Sequence, residues 1–337
     1  MADLATRYMG LPLRNPLVAS ASPLSQNVEG VEKLARAGVG AVVLYSLLEE
    51  QLHREAAENA RLIDAHTESY AESLSYFPAA ADVEAGPRYY LSLLERATAA
   101  VDIPVIGSLN GITPGGWADY ARQIQVAGAA AIELNIYYLP GDAQISGRDV
   151  EQRYVDVLKR VKDAVSIPGA VKLGPYFSST GEMALRLDDA GADALVLFNR
   201  FLQPDIDPET LAVTPAMGLS HPSEARLPRT WIALLYGRVQ ASLGATTGVE
   251  TSADLAKYLL AGADVVMSAS ALLRHGTEHA TELLDGLSEW MSRKGFATLD
   301  EFRGMLAVPR AEDETNFERA GYVEAMRDAN RNAYGPW

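Results

Sequence analysis

The chain has 337 residues, of which 48% are hydrophobic and 22% are charged, so it can bury a large core as one big domain or two ordinary ones. Its 29 Lys and Arg residues against 44 Asp and Glu residues leave a formal net charge of -15, which argues against nucleic-acid and membrane partners. The absence of cysteine excludes disulfides, thiolate zinc sites, a cysteine nucleophile and an iron–sulfur cluster held by the chain's own thiolates.

No targeting, membrane or metal signal stands out along the chain. A charged n-region followed by an apolar stretch is not found at residues 1–14, and no apolar run approaches the ~20 residues of a membrane helix. The five histidines do not show metal-ligand spacing. We therefore expect a cytoplasmic protein without a metal site, whose partner is a small molecule or another protein.

An Ala-Gly pair recurs four times, each time between a stretch of helical periodicity and an apolar run. The four pairs are Ala37-Gly38, Ala127-Gly128, Ala190-Gly191 and Ala261-Gly262. Glycine suits the residue after a helix end because that residue often adopts a left-handed conformation. The repeated pattern predicts a helix, a glycine cap and then a buried strand.

Eight short apolar runs alternate with helical patterns along the chain. They lie at residues 15–20, 41–44, 105–107, 131–134, 170–173, 194–198, 241–246 and 265–267. Parallel strands that are buried on both faces have this continuous apolar character. The count predicts an α/β protein with a (β/α)8 TIM barrel, and a doubly wound sheet is the alternative. One of the intervening helices is predicted from Thr230 to Ser242.

The predicted barrel forms a single domain over residues 1–310, with one long insertion. Residues 46–88, after the second strand, contain Tyr70, Tyr76 and Phe77, and form either a lid over the barrel or an insertion without function. Residues 277–294 are predicted to form an amphipathic closing helix, a C-terminal helical extension, and residues 311–337 form a polar tail.

Polar and small residues follow the predicted strands at their carboxyl ends, where TIM barrels have their active sites. In strand order they are Ser20, Ala21 and Ser22; Tyr45 and Ser46; Ser108 and Asn110; Asn135, Tyr137 and Tyr138; Lys172; Asn199; Thr246, Thr247 and Gly248; and Ser268, Ala269 and Ser270. The small residues after the last two strands suit a phosphate site, although tight turns without a ligand also use them.

Lys172 interrupts a buried apolar strand, and its alternation points it into the barrel together with Glu133 and Asn135. A buried lysine needs a negative partner or a shifted pKa. Lys172 could therefore form a structural ion pair with Glu133, or present a cation to an electron-rich cofactor edge or a substrate carbonyl. A Schiff-base lysine in a phosphate-binding barrel without flavin is a further alternative.

Several segments together resemble the flavin-dependent dihydroorotate dehydrogenases, an oxidoreductase family of pyrimidine metabolism, and in particular its bacterial dihydroorotate dehydrogenase-like members. They are Asn15-Pro16, Ala19-Ser20, Glu133-Leu134-Asn135, Val171-Lys172-Leu173, Pro175-Tyr176-Phe177, Phe198-Asn199, Asp205-Ile206-Asp207, Gly248, Ala261-Gly262-Ala263, Lys294-Gly295-Phe296 and Phe302-Arg303-Gly304. The resemblance implies an FMN-binding barrel, with the phosphate on the loops after strands seven and eight. Family members commonly dimerise, so it also implies a homodimer.

The resemblance also implies roles for individual residues. Lys172 would face the N1/O2 edge of the flavin, where a cation favours the reduced state. Asn135 and Asn199 would hydrogen-bond the flavin or the substrate. The backbone at residues 20–22 would approach the ring, and residues 108–111 would line its other side.

Two departures from the family pattern concern the substrate. Tyr138 stands where these dehydrogenases carry a Cys or Ser base, and Tyr45 stands where they carry a lysine after strand two. A phenol with a pKa of ~10 is a poor base at neutral pH but a serviceable proton donor. We therefore expect an FMN oxidoreductase that acts on CH-CH bonds of a substrate other than dihydroorotate. Hydride would be exchanged at flavin N5, with Tyr138 or Tyr137 supplying or taking the proton.

The flavin would exchange electrons with a diffusible donor or acceptor, or with a partner subunit. A chain without cysteine cannot carry its own iron–sulfur cluster for this purpose. A catalytically degenerate barrel that retains FMN is the non-enzymatic alternative.

Overall fold

The computed structural model describes residues 2–51, 86–111, 117–138, 141–201, 204–214, 218–309, 319 and 321–327. The strands are β1 (Thr6–Tyr8), β2 (Leu11–Leu13), β3 (Leu17–Ala19), β4 (Ala41–Val43), β5 (Leu47–Leu48), β6 (Val105–Gly111), β7 (Ala131–Ile136), β8 (Gly169–Leu173), β9 (Ala194–Leu197), β10 (Asp205–Asp207), β11 (Ala212–Thr214), β12 (Ser242–Ala245) and β13 (Val265–Ser268). The helices are α1 (Val28–Arg36), α2 (Pro87–Ala100), α3 (Trp117–Val126), α4 (Gly147–Ala164), α5 (Thr180–Asp189), α6 (Arg226–Leu235), α7 (Ser252–Ala261), α8 (Ser270–His275) and α9 (His279–Lys294).

Eight parallel strands close into a barrel, which confirms the predicted (β/α)8 fold. Strands β3, β4, β6, β7, β8, β9, β12 and β13 pair in this order, and β13 pairs back with β3. All eight carboxyl ends therefore meet at one end of the barrel, which we call the mouth. The short strand β5 continues beside β6 at that end.

The glycines of the four Ala-Gly pairs have the predicted left-handed backbone. Their φ angles are +102° at Gly38, +92° at Gly128, +91° at Gly191 and +117° at Gly262. Each follows a helix and precedes a barrel strand. The repeated sequence pattern thus marks the helix-to-strand turns at the end of the barrel opposite the mouth.

We predict that Gly262→Ala lowers the free energy of unfolding by about 3 kcal/mol, whereas Gly295→Ala lowers it by about 1 kcal/mol. Both glycines end a helix with positive φ, so both substitutions carry backbone strain. A Cβ at Gly262 would also lie 2.4 Å from the Tyr236 ring, whereas a Cβ at Gly295 meets no atom of the described residues within 4 Å. Urea denaturation measures both; equal losses would contradict the packing argument.

The buried residues form two apolar clusters, one inside the barrel and one between the strands and the helices. The β1–β2 hairpin, which the sequence analysis did not predict, contributes Tyr8, Met9 and Leu13 to the inner cluster. Thr6 and Met9 hydrogen-bond Asp264 and Ser242 near the amino ends of β13 and β12. The hairpin therefore closes the bottom of the barrel, so that access to the interior is from the mouth.

The structure corrects the predicted helix from Thr230 to Ser242. Helix α6 instead runs over Arg226–Leu235, and Gly237 follows with a φ of +72°. The residues after Gly237 have no helical backbone, and Ser242 begins strand β12. An exposed β10–β11 hairpin, which was not predicted, follows the sixth barrel strand.

The two ends of the predicted insertion lie within the described residues, but Tyr70, Tyr76 and Phe77 lie outside them. The predicted closing helix is α9, which buries Leu283, Leu287 and Met291. In the tail, residues 321–327 are helical. Within the described ranges, none of the helices combines the length and the apolar character needed to span a membrane.

Candidate active site

The barrel brings the predicted site residues to the mouth. Strand register places Ser108 beside Glu133, Asn110 beside Asn135, and Asn135 beside Lys172. Ser20 and Thr246 directly follow the ends of β3 and β12, and Asn199 follows β9 after one intervening residue, Phe198. Apart from Asn199, these side chains alternate with residues of the outer cluster, so they belong to the inward face of the strands. The Asn199 side chain joins them through its hydrogen bond with Asn135.

Lys172 lies inside the barrel, as its alternation predicted. Its side chain is 8% exposed, and Nζ lies 3.4 Å from Ser20 Oγ and 3.7 Å from Glu133 Oε1. At 3.7 Å, Lys172 and Glu133 form an ion pair but are too far apart for a hydrogen bond. An ammonium group has three donors, and within the described part of the chain only Ser20 accepts one of them. Lys172 therefore retains donors for a ligand at the mouth.

Two asparagines and an aromatic cluster cover one side of the mouth. Asn199 Nδ2 donates to Asn135 Oδ1 at 2.7 Å. The Phe201 ring lies 4.5 Å from the Tyr137 ring and 5.4 Å from the Tyr176 ring, measured between centroids. Gly174 is required below this cluster, since a Cβ there would lie 2.2 Å from the Phe201 ring. The arrangement offers amides and aromatic faces to a planar molecule.

The two tyrosines predicted as proton donors have different surroundings. Tyr137 continues the inward alternation of Glu133 and Asn135, and its ring contacts Phe201. Tyr138 packs instead against the outer cluster, where the Arg153 guanidinium of α4 lies 4.2 Å from its ring centroid. The structure therefore places Tyr137 at the mouth and Tyr138 between the barrel and a helix.

Tyr90 fills a break in the barrel wall that the sequence did not indicate. Strand β4 pairs with β6 up to Val43, and β5 resumes the pairing at Leu47. The backbone of Ser108 in β6 therefore has no strand partner on the side of β4 and β5. The Tyr90 hydroxyl accepts a hydrogen bond from Ser108 N at 2.6 Å and donates to Ser108 O at 3.2 Å. Burial raises the Tyr90 pKa, so the phenol stays protonated. Ser46 and Ser108 share a hydrogen bond of 2.8 Å beside it.

We predict that Tyr90→Phe lowers the free energy of unfolding by about 2 kcal/mol or more, because it orphans a buried N–H and a buried C=O at Ser108. Tyr89→Phe is the matched control. The Tyr89 hydroxyl donates to Gln26 O at an exposed position, so its loss should cost less than about 0.5 kcal/mol. Chemical denaturation of both variants tests this; a Tyr90→Phe protein as stable as the control would contradict it.

The turn after β12 is held by its neighbours. Gly248 has a φ of +69°, and its N–H donates to Ser220 Oγ at 3.2 Å. Thr247 Oγ1 donates to Phe198 O, and the Tyr258 hydroxyl bonds the carbonyls of Thr246 and Thr247. In the turn predicted to bind phosphate, the hydroxyl of Thr247 and the amide of Gly248 thus already have protein partners.

In the turn after β13, some of the polar groups also have protein partners. Ser270 Oγ accepts from Ser220 N at 2.9 Å, so Ser220 joins the two turns. Ser268 Oγ is buried and has no hydrogen-bond partner among the described residues. The first amides of a helix lack intrahelical acceptors, and α8 begins at Ser270 directly after Ala269. Both turns were predicted from the sequence, but the contacts of Ser220 and Tyr258 were not. Ser220 lies 28 and 50 residues from its partners Gly248 and Ser270.

A cavity of about 600 Å³ opens beside the ends of β3 and β4. Its lining includes Ala21, Ser22, Tyr45, Ser46 and Tyr89. The Ser22 side chain accepts a hydrogen bond from Leu24 N and so caps a short helix at residues 23–25. Burial raises the pKa of Tyr45 to about 12, with a smaller contribution from Tyr89, so Tyr45 offers a hydroxyl and not a base.

Comparison with known proteins identifies one family. The sequence model described as dihydroorotate dehydrogenase matches residues 3–291. The chain is 28% identical over 312 residues to the dihydroorotate dehydrogenase B (NAD(+)) catalytic subunit of Methanothermobacter thermautotrophicus, covering 90% of this chain and 98% of the relative. It is 29% identical to the protein of that name from Methanocella arvoryzae (88% and 95% covered), and 26% identical to that from Pyrococcus abyssi (90% and 98% covered).

Proposed function

This chain belongs to the dihydroorotate dehydrogenase family, and from that premise we propose that it is an FMN-dependent oxidoreductase with its reaction centre at the barrel mouth. FMN, when bound, supplies a two-electron acceptor and donor. The observation that carries the proposal is Lys172, a buried cation with unused donors at the mouth. A fixed cation there stabilises negative charge on a reduced heterocycle.

The residues present fit FMN. Ser268 Oγ is an orphaned buried hydroxyl beside the turn after β13, where a polar ligand would satisfy it. Amides at the start of α8 suit a phosphate group. Ser220 must release Gly248 N–H before that amide can bind a ligand, so the cradle requires a small rearrangement of residues 218–221. Asn135, Asn199 and Lys172 supply the polar contacts for the ring.

The test of cofactor binding is a titration of the protein, stripped of bound flavin, with FMN and with riboflavin. Removing the phosphate should weaken binding by about a hundredfold, because several charge-assisted hydrogen bonds are lost. Equal affinities would show that the turns after β12 and β13 do not hold a phosphate. Failure of FMN to bind at all would contradict the cofactor proposal.

The substrate is proposed to differ from dihydroorotate. The chain has no cysteine, and the family resemblance places Tyr138 where these dehydrogenases carry a Cys or Ser base. Tyr137 faces the mouth and, as a phenol, supplies a proton more readily than it removes one. We propose reduction of an activated carbon–carbon double bond, with Tyr137 protonating the carbon that does not receive the hydride. A diffusible carrier or a partner subunit would supply the electrons.

We predict that anaerobic mixing of the FMN-loaded protein with dihydroorotate leaves the flavin oxidised. Proton removal from this substrate requires a base, and a protonated phenol does not provide one. Dithionite in a parallel sample should bleach the flavin fully, which shows that the bound flavin is reducible. Rapid bleaching by dihydroorotate, followed in the flavin absorption, would contradict the proposed substrate class.

A further inference from the structure

Glu133 is a buried carboxylate without a hydrogen bond. It is 1% exposed on the inward face of β7, and neither carboxylate oxygen has a donor among the described residues. Its cationic neighbour is Lys172, whose Nζ lies 3.7 Å from Oε1. A buried charge is costly unless it is paired and hydrogen-bonded. This pair is therefore poorly built for stability, which suggests a different reason for the carboxylate.

The carboxylate lies deeper in the barrel than the ammonium group. Glu133 is in register with Ala170, whereas Lys172 is in register with Asn135, two residues nearer the mouth. Lys172 also reaches Ser20, which follows the end of β3. The pair is thus a dipole whose positive end faces the mouth.

No other charge enters the inner layers of the described barrel, where the inward residues besides Glu133 and Lys172 are neutral. Tyr8 rises from the β1–β2 hairpin into this interior. Burial, and then the charges of Glu133 and Asp264, raise the Tyr8 pKa well above its usual value, so the phenol remains neutral. Among the inward side chains of the described strands, Glu133 and Lys172 are therefore the two charged groups.

We propose that Glu133 is a positioning residue that sets the net charge which Lys172 presents to the flavin. This inference rests on the proposed function. Reduction adds negative charge to the ring, which the ammonium stabilises and the carboxylate beneath it destabilises. Glu133 thereby holds the flavin at a lower potential than the lysine alone would impose, and a lower potential makes the reduced flavin a stronger donor.

The test compares FMN-loaded wild-type protein with Glu133→Gln, Lys172→Met and the double variant. Glu133→Gln should raise the equilibrium constant for two-electron reduction about tenfold, which corresponds to about 30 mV. Lys172→Met should lower it by about tenfold or more. The double variant should lie within about threefold of wild type, because its net interior charge is unchanged. Sulfite affinity of the flavin, which also grows with positive charge near the ring, should follow the same order.

Two results would overturn the inference. A Glu133→Gln protein that is less stable but has an unchanged potential would make Glu133 a purely structural residue. If that variant does not fold, Glu133→Leu removes the same carboxylate while Lys172 stays in place, and an unchanged potential there is equally decisive. The proposed function fails separately, through a wild-type protein that does not bind FMN.

Discussion

Replacing Tyr137 by phenylalanine is expected to lower turnover by about a hundredfold, the usual cost of losing a general acid. The side chain lies on the inward face at the end of β7, next to Asn135 and in contact with Phe201. Its loss removes the proposed proton donor and leaves the aromatic packing in place. Flavin binding should not change, because the phenol is proposed to serve the substrate.

Tyr138→Phe is the matched control and should change turnover by less than about threefold, since its ring faces Arg153 and the outer cluster. The measurement is reoxidation of the reduced protein by a panel of α,β-unsaturated acids and ketones, with the variants compared on the acceptor that wild type reduces fastest. A larger loss for Tyr138→Phe than for Tyr137→Phe would contradict this and assign proton donation to Tyr138, the residue that the family resemblance suggested.

Gly248→Ala is expected to weaken FMN binding by about a hundredfold, as small displacements of a binding group can do. A Cβ at this position would lie 2.8 Å from Ala225 N and 2.9 Å from His221 O, and the backbone φ of +69° is strained for alanine. The turn after β12 must therefore move away from residues 221–225. That movement shifts the amides proposed to hold the phosphate.

Gly276→Ala provides the control for backbone strain. Gly276 also has a positive φ, but the closest atom to its added Cβ is the flexible Glu278 carboxylate at 3.1 Å. FMN affinity of this variant should remain within about threefold of wild type. Fluorescence titration measures both, and unchanged affinity in Gly248→Ala would place the phosphate elsewhere.

The barrel could be predicted because its signals are local and repeated. Each Ala-Gly pair combines a helix end with a residue that tolerates positive φ, and Gly38, Gly128, Gly191 and Gly262 all adopt it. The inward placement of Lys172 and of Glu133 followed from strand alternation, and their ion pair was one of the alternatives that this placement allowed. Such features depend on residues within a few positions of each other.

Two of the features that were missed, the contacts of Tyr90 and of Ser220, join segments that are distant in sequence. Tyr90 binds the backbone of Ser108 only because β4 and β5 are separated by three residues, and nothing near Tyr90 in sequence records that break. Ser220 joins two turns that lie 28 and 50 residues away along the chain. The β1–β2 hairpin was missed since its strands are three residues long, too short to show periodicity.

The side chains of Tyr137 and Tyr138 show where alternation could have decided between two candidates. Asn135 and Tyr137 share the parity of Glu133, so the same argument that pointed Lys172 inward selects Tyr137 over Tyr138. Motif position favoured Tyr138 instead. Alternation and motif position give different answers because strand β7 ends at Ile136, and the place of a residue in a family motif does not say which way its side chain points.

The absorption spectrum of the purified protein, taken before and after addition of FMN, is the most direct test of a redox centre facing Lys172. We predict the visible bands of a bound flavin, lost on reduction by dithionite and restored by air. A colourless protein that takes up no FMN, and whose Lys172 is trapped by borohydride with a carbonyl compound, would contradict it and leave only the barrel architecture standing.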